Sequence, residues 1–168
     1  MVEVVYQKGD WSKYSGRGDI TKVTVASDVD EIASNAFWCC CKLKEIEIKA
    51  KTVGNSSFLE CKDLVKVVLK EGVTSVGTCA FQGCHKISTF IWPDSVKKVG
   101  RDVFEGCDKL HELAGSKDQE KVIEYLKNVG LTPLMKLCRV DGKLEDIKKI
   151  LDENSEAIKV SLKAMSQL

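Results

Sequence analysis

The side chains with the greatest capacity for chemistry in this chain are its eight cysteines and two histidines. Three of the cysteines, Cys39, Cys40 and Cys41, are consecutive. Zinc sites usually separate their ligands by about two to four residues, and neighbours in one turn cannot all face one ion. The run therefore predicts a core position for Cys40, with Cys39 and Cys41 near the surface, and it does not predict a metal site.

A second arrangement places Cys84 beside His85, which raises the question of a nucleophile and its base. Adjacent residues seldom converge in an extended turn, and Cys84 is expected to point inward, so we expect no such pair. Both His85 and His111 are predicted to be solvated or to cap a turn. The sequence also lacks a phosphate-binding loop, a Rossmann glycine fingerprint and a zincin histidine pair. We therefore predict that the protein is not an enzyme and binds no metal or cofactor.

Arg17, Gly18 and Asp19 spell an integrin-type tripeptide, but three residues recur often by chance. The N-terminus is too polar for a secretory signal, and no apolar run approaches the ~18 residues needed to span a membrane. The chain carries 26 basic and 25 acidic residues, without the basic excess expected of a nucleic-acid binder. If the chain is complete, these features predict a cytoplasmic protein, and a cell-surface location is the alternative.

The elements that position these residues follow from a repeat built on phenylalanine. The four repeated phenylalanines recur at intervals of 21, 23 and 23 residues, and each is followed three residues later by a cysteine. The pairs are Phe37 and Cys40, Phe58 and Cys61, Phe81 and Cys84, and Phe104 and Cys107. A fixed period in this range is typical of a solenoid, whose stacked coils bury one continuous core and offer an open face rather than a deep pocket.

Counted from the aliphatic residue after each cysteine, the units are residues 20–42, 43–63, 64–86 and 87–109, and a partial fifth begins at Leu110. Apolar residues at the first, fourth and sixth positions of each unit predict a short half-buried strand. An irregular or short helical turn is expected to carry the phenylalanine and cysteine. Glycines such as Gly54 and Gly77 suit a tight bend or a close backbone approach. The second unit lacks two residues, which predicts a local kink near residues 49–53.

The outward residues of the predicted strands form what we call the strand face, the candidate protein-binding surface. Its members are Lys22, Thr24, Glu45, Glu47, Lys66, Val68, Thr89, Ile91 and Glu112. The mixed charge, together with the small apolar patch of Val68 and Ile91, suits a protein partner better than a phosphate backbone. The alternative is a merely solvated sheet.

The repeat resembles the BspA-like, type-5 leucine-rich repeat. Residues 76–87 read Val-Gly-Thr-Cys-Ala-Phe-Gln-Gly-Cys-His-Lys-Ile, and residues 92–110 repeat the valine-glycine, phenylalanine and glycine-cysteine steps after a turn proline, Pro93. The resemblance implies a leucine-rich-repeat solenoid with interaction or adhesion roles, often in microbial and protist proteins. It favours a protein-binding scaffold, with a surface adhesin or antigen of the BspA-like type as the alternative.

The segment after Gly115 has a different, helical period and resembles an ankyrin repeat. Thr132, Pro133 and Leu134 would open a first helix, and Gly142 would mark the turn before a second. We therefore predict an N-terminal cap over residues 1–19, leucine-rich repeats over residues 20–115, and an ankyrin-like α-helical end over residues 116–168. The repeat cysteines are expected to be reduced core thiols. Pairing along the stack is left open, because equivalent positions of stacked coils lie roughly 4.8 Å apart.

Overall fold

The computed structural model describes residues 1–91, 93 and 95–110, which form a parallel β-solenoid of about five turns. In Glu45–Ile48 the two glutamates are exposed and the two isoleucines are buried, the two-residue alternation of a half-buried strand. The strands are β1 (Val2–Tyr6), β2 (Ile20–Val25), β3 (Glu31–Ile32), β4 (Glu45–Ile48), β5 (Thr52–Val53), β6 (Lys66–Leu69), β7 (Ser75–Val76), β8 (Thr89–Ile91) and β9 (Lys98–Val99). The predicted glutamate-outward, isoleucine-inward arrangement is thus confirmed in β4.

Two sides of the solenoid carry parallel strand ladders. On the side of the strand face, β1 pairs with β2, and β4, β6 and β8 pair in order. On the second side, β3, β5, β7 and β9 pair in order. The first ladder keeps equivalent residues adjacent, since Ile46 lies beside Val67 and Val67 beside Phe90. The second ladder consists of two-residue strands, which the sequence pattern does not predict.

The first ladder is interrupted between β2 and β4, which are not hydrogen-bonded neighbours. The two residues missing from the second unit fall in the connection between β4 and β5, while β5 keeps its register with β3 and β7. The sequence predicts a kink near residues 49–53. The interruption instead separates β2 from β4, and both strands precede those residues.

The core contains the predicted column of rings and thiols. Phe37, Phe58 and Phe81 are fully buried and stack with centroids 5.2 Å apart at each step. Phe90 then meets Phe81 and Phe104 edge to face, each at 5.0 Å. Offset and edge-to-face rings are the favoured geometries for buried aromatic pairs. The repeat therefore encodes a shared interior, as its period predicts.

Each repeat cysteine is a buried free thiol that donates a hydrogen bond to the coil before it. The Sγ atom of Cys61 lies 3.1 Å from the Phe37 carbonyl oxygen, and that of Cys84 lies 3.1 Å from the Phe58 oxygen. Cys107 makes the equivalent bond one coil further on, at 3.2 Å. The cysteine is thus both a small core residue and a weak donor that links consecutive coils.

The turns that carry the phenylalanines are irregular rather than helical. The residues two before and two after each phenylalanine have positive φ, as at Ser56 (52°) and Glu60 (60°) on either side of Phe58. A right-handed helix cannot contain such residues, because their backbone is in the left-handed region. Among the described residues, helix is confined to residues 108–110. Of the two forms that the sequence leaves open for this turn, irregular and short helical, the structure has the irregular one.

The glycine positions are sites of close approach between coils, as predicted. A Cβ atom placed on Gly77 would lie 2.6 Å from the backbone nitrogen of Asn55, and one on Gly54 would lie 2.6 Å from that of Ser34. Real Cβ atoms essentially never approach another atom that closely. Ala33 occupies this position in the first unit, which follows residues 1–19 and not another repeat unit.

Residues 1–19 supply both a strand and a cover for the first coil. Tyr6 and Tyr14 are buried, and Tyr14 stacks on Phe37 with centroids 5.8 Å apart. Trp11 does not share this role, because it is 72% exposed. The ankyrin-like prediction for residues 116–168, like Glu112, lies outside the described residues. No helix in the described part of the chain is long and apolar enough to cross a membrane.

Candidate functional site

The strand register gathers the outward residues of the strand face into short rows. Lys66 lies between Glu45 and Thr89, and Val68 lies between Glu47 and Ile91. All eight strand-face residues within the described part of the chain are exposed or half-buried. The structure therefore places them on one surface of the solenoid.

Two further residues of this surface, Glu3 and Val5, lie outside the sequence-predicted set. Both are exposed residues of β1, and the register places Glu3 beside Lys22 and Val5 beside Thr24. The alternation of Val2, Glu3 and Val4 is the signal that could have revealed them, because it has the period of a half-buried strand. The strand face thus extends one coil further toward the N-terminus than predicted.

A shallow groove of about 400 Å³ follows the interruption of the ladder between β2 and β4. Buried Val23 and Ile46 contribute to its lining, together with the charged residues Lys22, Lys44 and Glu45. A groove with an apolar floor and charges of both signs offers contacts to a polypeptide rather than a closed pocket for a small molecule.

Several charges of the strand face already have partners within the chain. Lys22 pairs with Glu3 at 3.3 Å, and Glu47 pairs with Lys70 at 3.2 Å. Burial alone would raise the pKa of Glu47, but the Lys70 hydrogen bond and nearby lysine charges outweigh it and lower that pKa. These are exposed pairs, which stabilise a fold by little.

Glu45 and Lys66, which lie side by side on β4 and β6, differ from these pairs. Within the described residues, no ion pair is formed by either side chain. Next to them lie half-buried Val68 and Ile91, which is 38% exposed. The centre of the strand face therefore combines one available charge of each sign with an apolar patch.

The three consecutive cysteines are divided between the core and the surface. Cys40 is buried, and its thiol donates to the Tyr14 carbonyl at 3.3 Å, while half-buried Cys41 lies 3.6 Å from the Glu60 carbonyl. Burial is the main cause that raises the pKa of Cys40 to about 12, which keeps the thiol protonated. In residues 1–91, 93 and 95–110, no three metal-ligating side chains are grouped to hold an ion. The predicted core position of Cys40, with Cys39 and Cys41 nearer the surface, is confirmed.

Cys84 and His85 also diverge, as their adjacency predicts. The Cys84 thiol points to the Phe58 carbonyl inside the solenoid. The Nδ1 atom of exposed His85 lies 2.6 Å from Oδ2 of Asp108 on the next coil. A general base must reach the proton that it removes, and these two side chains lie on opposite sides of the chain.

The two charged side chains of the integrin-type tripeptide pair with each other. The Nε and Nη2 atoms of Arg17 donate to the two carboxylate oxygens of Asp19, each at 2.8 Å. This hydrogen bonding is the largest cause that lowers the pKa of Asp19 to about 2. The two charges that a receptor would need therefore neutralise each other, and the structure offers no support for the integrin interpretation.

A wider depression of about 650 Å³ lies at the N-terminal end, beside Tyr6 and Val29. Exposed Trp11, with a φ of 36°, forms part of its wall, and Asp30 on its rim pairs with Lys51 at 3.0 Å. Its lining includes no cysteine or histidine.

Comparison with protein families gives one match that covers most of the described solenoid. The family described as "BspA type Leucine rich repeat region" matches residues 12–120 in six copies. A comparison with curated proteins gives no match.

Solved structures of three bacterial leucine-rich repeat proteins are similar to this chain. A protein from Bacteroides ovatus matches at 19% identity over 64% of this chain and 35% of that chain, with a TM-score of 0.41. A leucine-rich cell surface protein from Faecalibacterium prausnitzii matches at 18% identity over 65% and 41%, with a TM-score of 0.31. A T. pallidum leucine-rich repeat protein matches at 20% identity over 65% and 71%, with a TM-score of 0.29. The match spans less than half the length of the first two proteins.

Proposed function

The chain belongs to the BspA type leucine-rich repeat family, and on this premise we propose that it is a non-catalytic module that binds another protein through its strand face. The family commonly mediates protein interaction and surface adhesion. The observation that supports this surface is the apolar patch of half-buried Val68 and exposed Ile91. It lies beside the charges of Glu45 and Lys66, which form no ion pair with any described residue. Apolar contacts flanked by complementary charges are the usual composition of a protein interface.

The expected partner follows from the chemistry of this patch. An apolar side chain of the partner would contact Val68 and Ile91, which would remove both from water. A basic group of the partner would face Glu45, and an acidic group would face Lys66. A partner with a single strong charge would satisfy only one of these two positions, so we propose a mixed-charge protein surface and not a nucleic acid.

Affinity capture from the source cell tests the proposal with a matched pair of variants. In the test variant, Val68→Glu and Ile91→Glu place two carboxylates on neighbouring strands of the strand face. In the control, Thr52→Glu and Ser75→Glu place two carboxylates on neighbouring strands of the second ladder. We expect one or more proteins to bind the wild type and the control but not the test variant. Equal capture by both variants would rule out the strand face, provided that both unfold at the wild-type temperature.

We propose that the protein acts inside the cell as a scaffold, and a surface adhesin is the second candidate. The unpaired, buried thiols of Cys40, Cys61 and Cys107 favour a reducing compartment. Titratable free thiols in freshly isolated protein support the scaffold, whereas labelling of the protein on intact cells supports the adhesin.

We further propose that residues 116–168 form the ankyrin-like helical end. Because the described residues contain almost no helix, any strong helical signal must come from elsewhere in the chain. Far-UV circular dichroism of the full chain should therefore show helical minima in addition to the β signal. A spectrum of β type alone would contradict this part of the proposal.

A further inference from the structure

Strand β1 has one edge that no described strand occupies. It pairs with β2 on one side only. The Tyr6 carbonyl faces β2, because it accepts a hydrogen bond from the Ala26 N–H at 3.0 Å. Backbone groups of successive residues in a strand point to opposite edges, so those of Glu3 and Val5 point away from β2. The Val5 carbonyl accordingly accepts a hydrogen bond from the Tyr14 hydroxyl at 3.1 Å.

The sequence of β1 does little to protect this edge from another strand. Natural edge strands are commonly blocked by lysine or proline, and β1 reads Val-Glu-Val-Val-Tyr. Its one charge, on Glu3, is already paired with Lys22 at 3.3 Å. Val5 is 50% exposed, and Val2 and Val4 are half-buried. The edge therefore combines outward backbone groups, of which the Val5 carbonyl already has one partner, with apolar side chains that gain from further burial.

We propose that β1 pairs with β1 of a second copy of this chain, antiparallel and centred on Val4. In this register, Glu3 of one copy lies opposite Val5 of the other, and the N–H and C=O groups of these two residues exchange hydrogen bonds. These are the residues whose backbone groups point outward. The Val5 carbonyl can accept a second hydrogen bond, because a carbonyl oxygen has two lone pairs.

Electrostatic repulsion favours this antiparallel register over parallel, in-register pairing of the two β1 strands. Parallel, in-register pairing would place Glu3 beside Glu3 of the second copy, and like charges directly opposite are unfavourable. The antiparallel register separates the two carboxylates and creates a two-fold symmetric contact, the commonest form of homodimer. It also brings Val4 next to Val4 of the second copy and continues the strand face of one copy into that of the other.

Sedimentation velocity of the 168-residue chain over a range of concentrations tests the proposal. We expect a reversible dimer in the wild type that is lost in Val5→Pro. Proline at this position removes only an outward N–H, and edge strands tolerate proline there. Thr52→Glu with Ser75→Glu serves as the control and should dimerise like the wild type, because those positions lie on the second ladder and not on the strand face.

Charge reversal at Val5 makes the test specific for the register. Val5→Lys would face Glu3 of the second copy favourably, whereas Val5→Glu would face it unfavourably, and each dimer contains two such pairs. We expect the dimer dissociation constant of Val5→Glu to exceed that of Val5→Lys by roughly tenfold. A wild type that stays monomeric, a Val5→Pro variant that dimerises normally, or equal constants for the two charge variants would each overturn the proposal.

Discussion

Replacement of Gly77 by alanine tests the spacing between coils most directly. The added Cβ would lie 2.6 Å from the Asn55 nitrogen and 2.7 Å from the Gly54 carbonyl carbon, whereas ordinary contacts lie at 3.4–4 Å. These atoms belong to backbone, so a side-chain rotation cannot relieve the overlap. The coils would have to separate, which strains the hydrogen bond from the Gly77 N–H to the Val53 carbonyl, now 2.7 Å. Overpacking costs about 1–3 kcal/mol and a lost hydrogen bond about 1 kcal/mol, so we expect a loss of about 3 kcal/mol.

Gly18→Ala is the matched control for this substitution. A Cβ on Gly18 would have its nearest neighbour, the Cys39 carbonyl oxygen, at 3.9 Å, and the residue does not require positive φ. Alanine there should leave the free energy of unfolding unchanged or raise it by up to about 1 kcal/mol, because it restricts the unfolded chain. Urea denaturation, followed by both circular dichroism and tryptophan fluorescence, measures the two midpoints. If Gly77→Ala unfolds at the same urea concentration as Gly18→Ala, the coils are not packed closely enough to exclude a Cβ atom at residue 77.

Three further predictions concern the turns, the thiols and the cap. Glu60 has a φ of 60°, a backbone conformation that costs a non-glycine residue roughly 1–2 kcal/mol. Glu60→Gly removes this cost but adds the entropy cost of glycine, so it should raise the urea midpoint by the equivalent of about 0.5–1 kcal/mol. A lower midpoint would contradict this. Burial raises the pKa of Cys40 and Cys107 from 9.0 to about 12. The stabilising contribution of these two protonated thiols is therefore complete below pH 9 and is lost as the pH rises toward 12. A melting temperature that stays constant between pH 9 and pH 12 would refute this prediction. Tyr6→Phe removes the oxygen that accepts a hydrogen bond from the Ala33 N–H at 3.0 Å. The substitution should lower the free energy of unfolding by about 1 kcal/mol in the same urea assay. An unchanged midpoint would show that water replaces the hydroxyl without loss.

The sequence predicts the part of this fold that depends on stacking in register. Once coils stack, equal spacing along the chain becomes contact in space, so the period of Phe37, Phe58 and Phe81 is sufficient to predict a ring column. The same reasoning places the repeat cysteines inside and Val68 beside Ile91 outside. These predictions need only a period and an alternation, both of which can be counted in one sequence.

Features that depend on local geometry are not visible in the same way. The second ladder consists of two-residue strands such as Ser75–Val76, too short to show alternation. The interruption between β2 and β4 follows a unit of ordinary length, so no change in spacing marks it. Likewise, the pairing of Glu47 with Lys70 joins neighbouring coils through long, flexible side chains, and it decides which charges of the strand face remain available to a partner.

The hydrogen bonds between coils explain why the N-terminal cap cannot be a purely apolar lid. On the second ladder, an N–H donates to the preceding coil, as from Gly77 to the Val53 carbonyl, whereas on the phenylalanine side the direction is reversed, as from Phe58 to the Ala80 carbonyl. The first coil therefore presents both donors and acceptors to whatever covers it.

Residues 1–19 meet both needs at the two sides of the first coil. The Tyr6 hydroxyl accepts from the Ala33 N–H at 3.0 Å, and the Gly16 N–H donates to the Trp38 carbonyl at 2.6 Å. Burial raises the pKa of Tyr6, so its hydroxyl stays neutral at physiological pH. A purely hydrophobic cover of the same shape would offer no partner to the Ala33 donor or to the Trp38 acceptor, and each lost hydrogen bond costs about 1 kcal/mol. The polar groups of the cap thus stabilise the first coil in addition to the aromatic rings that cover it.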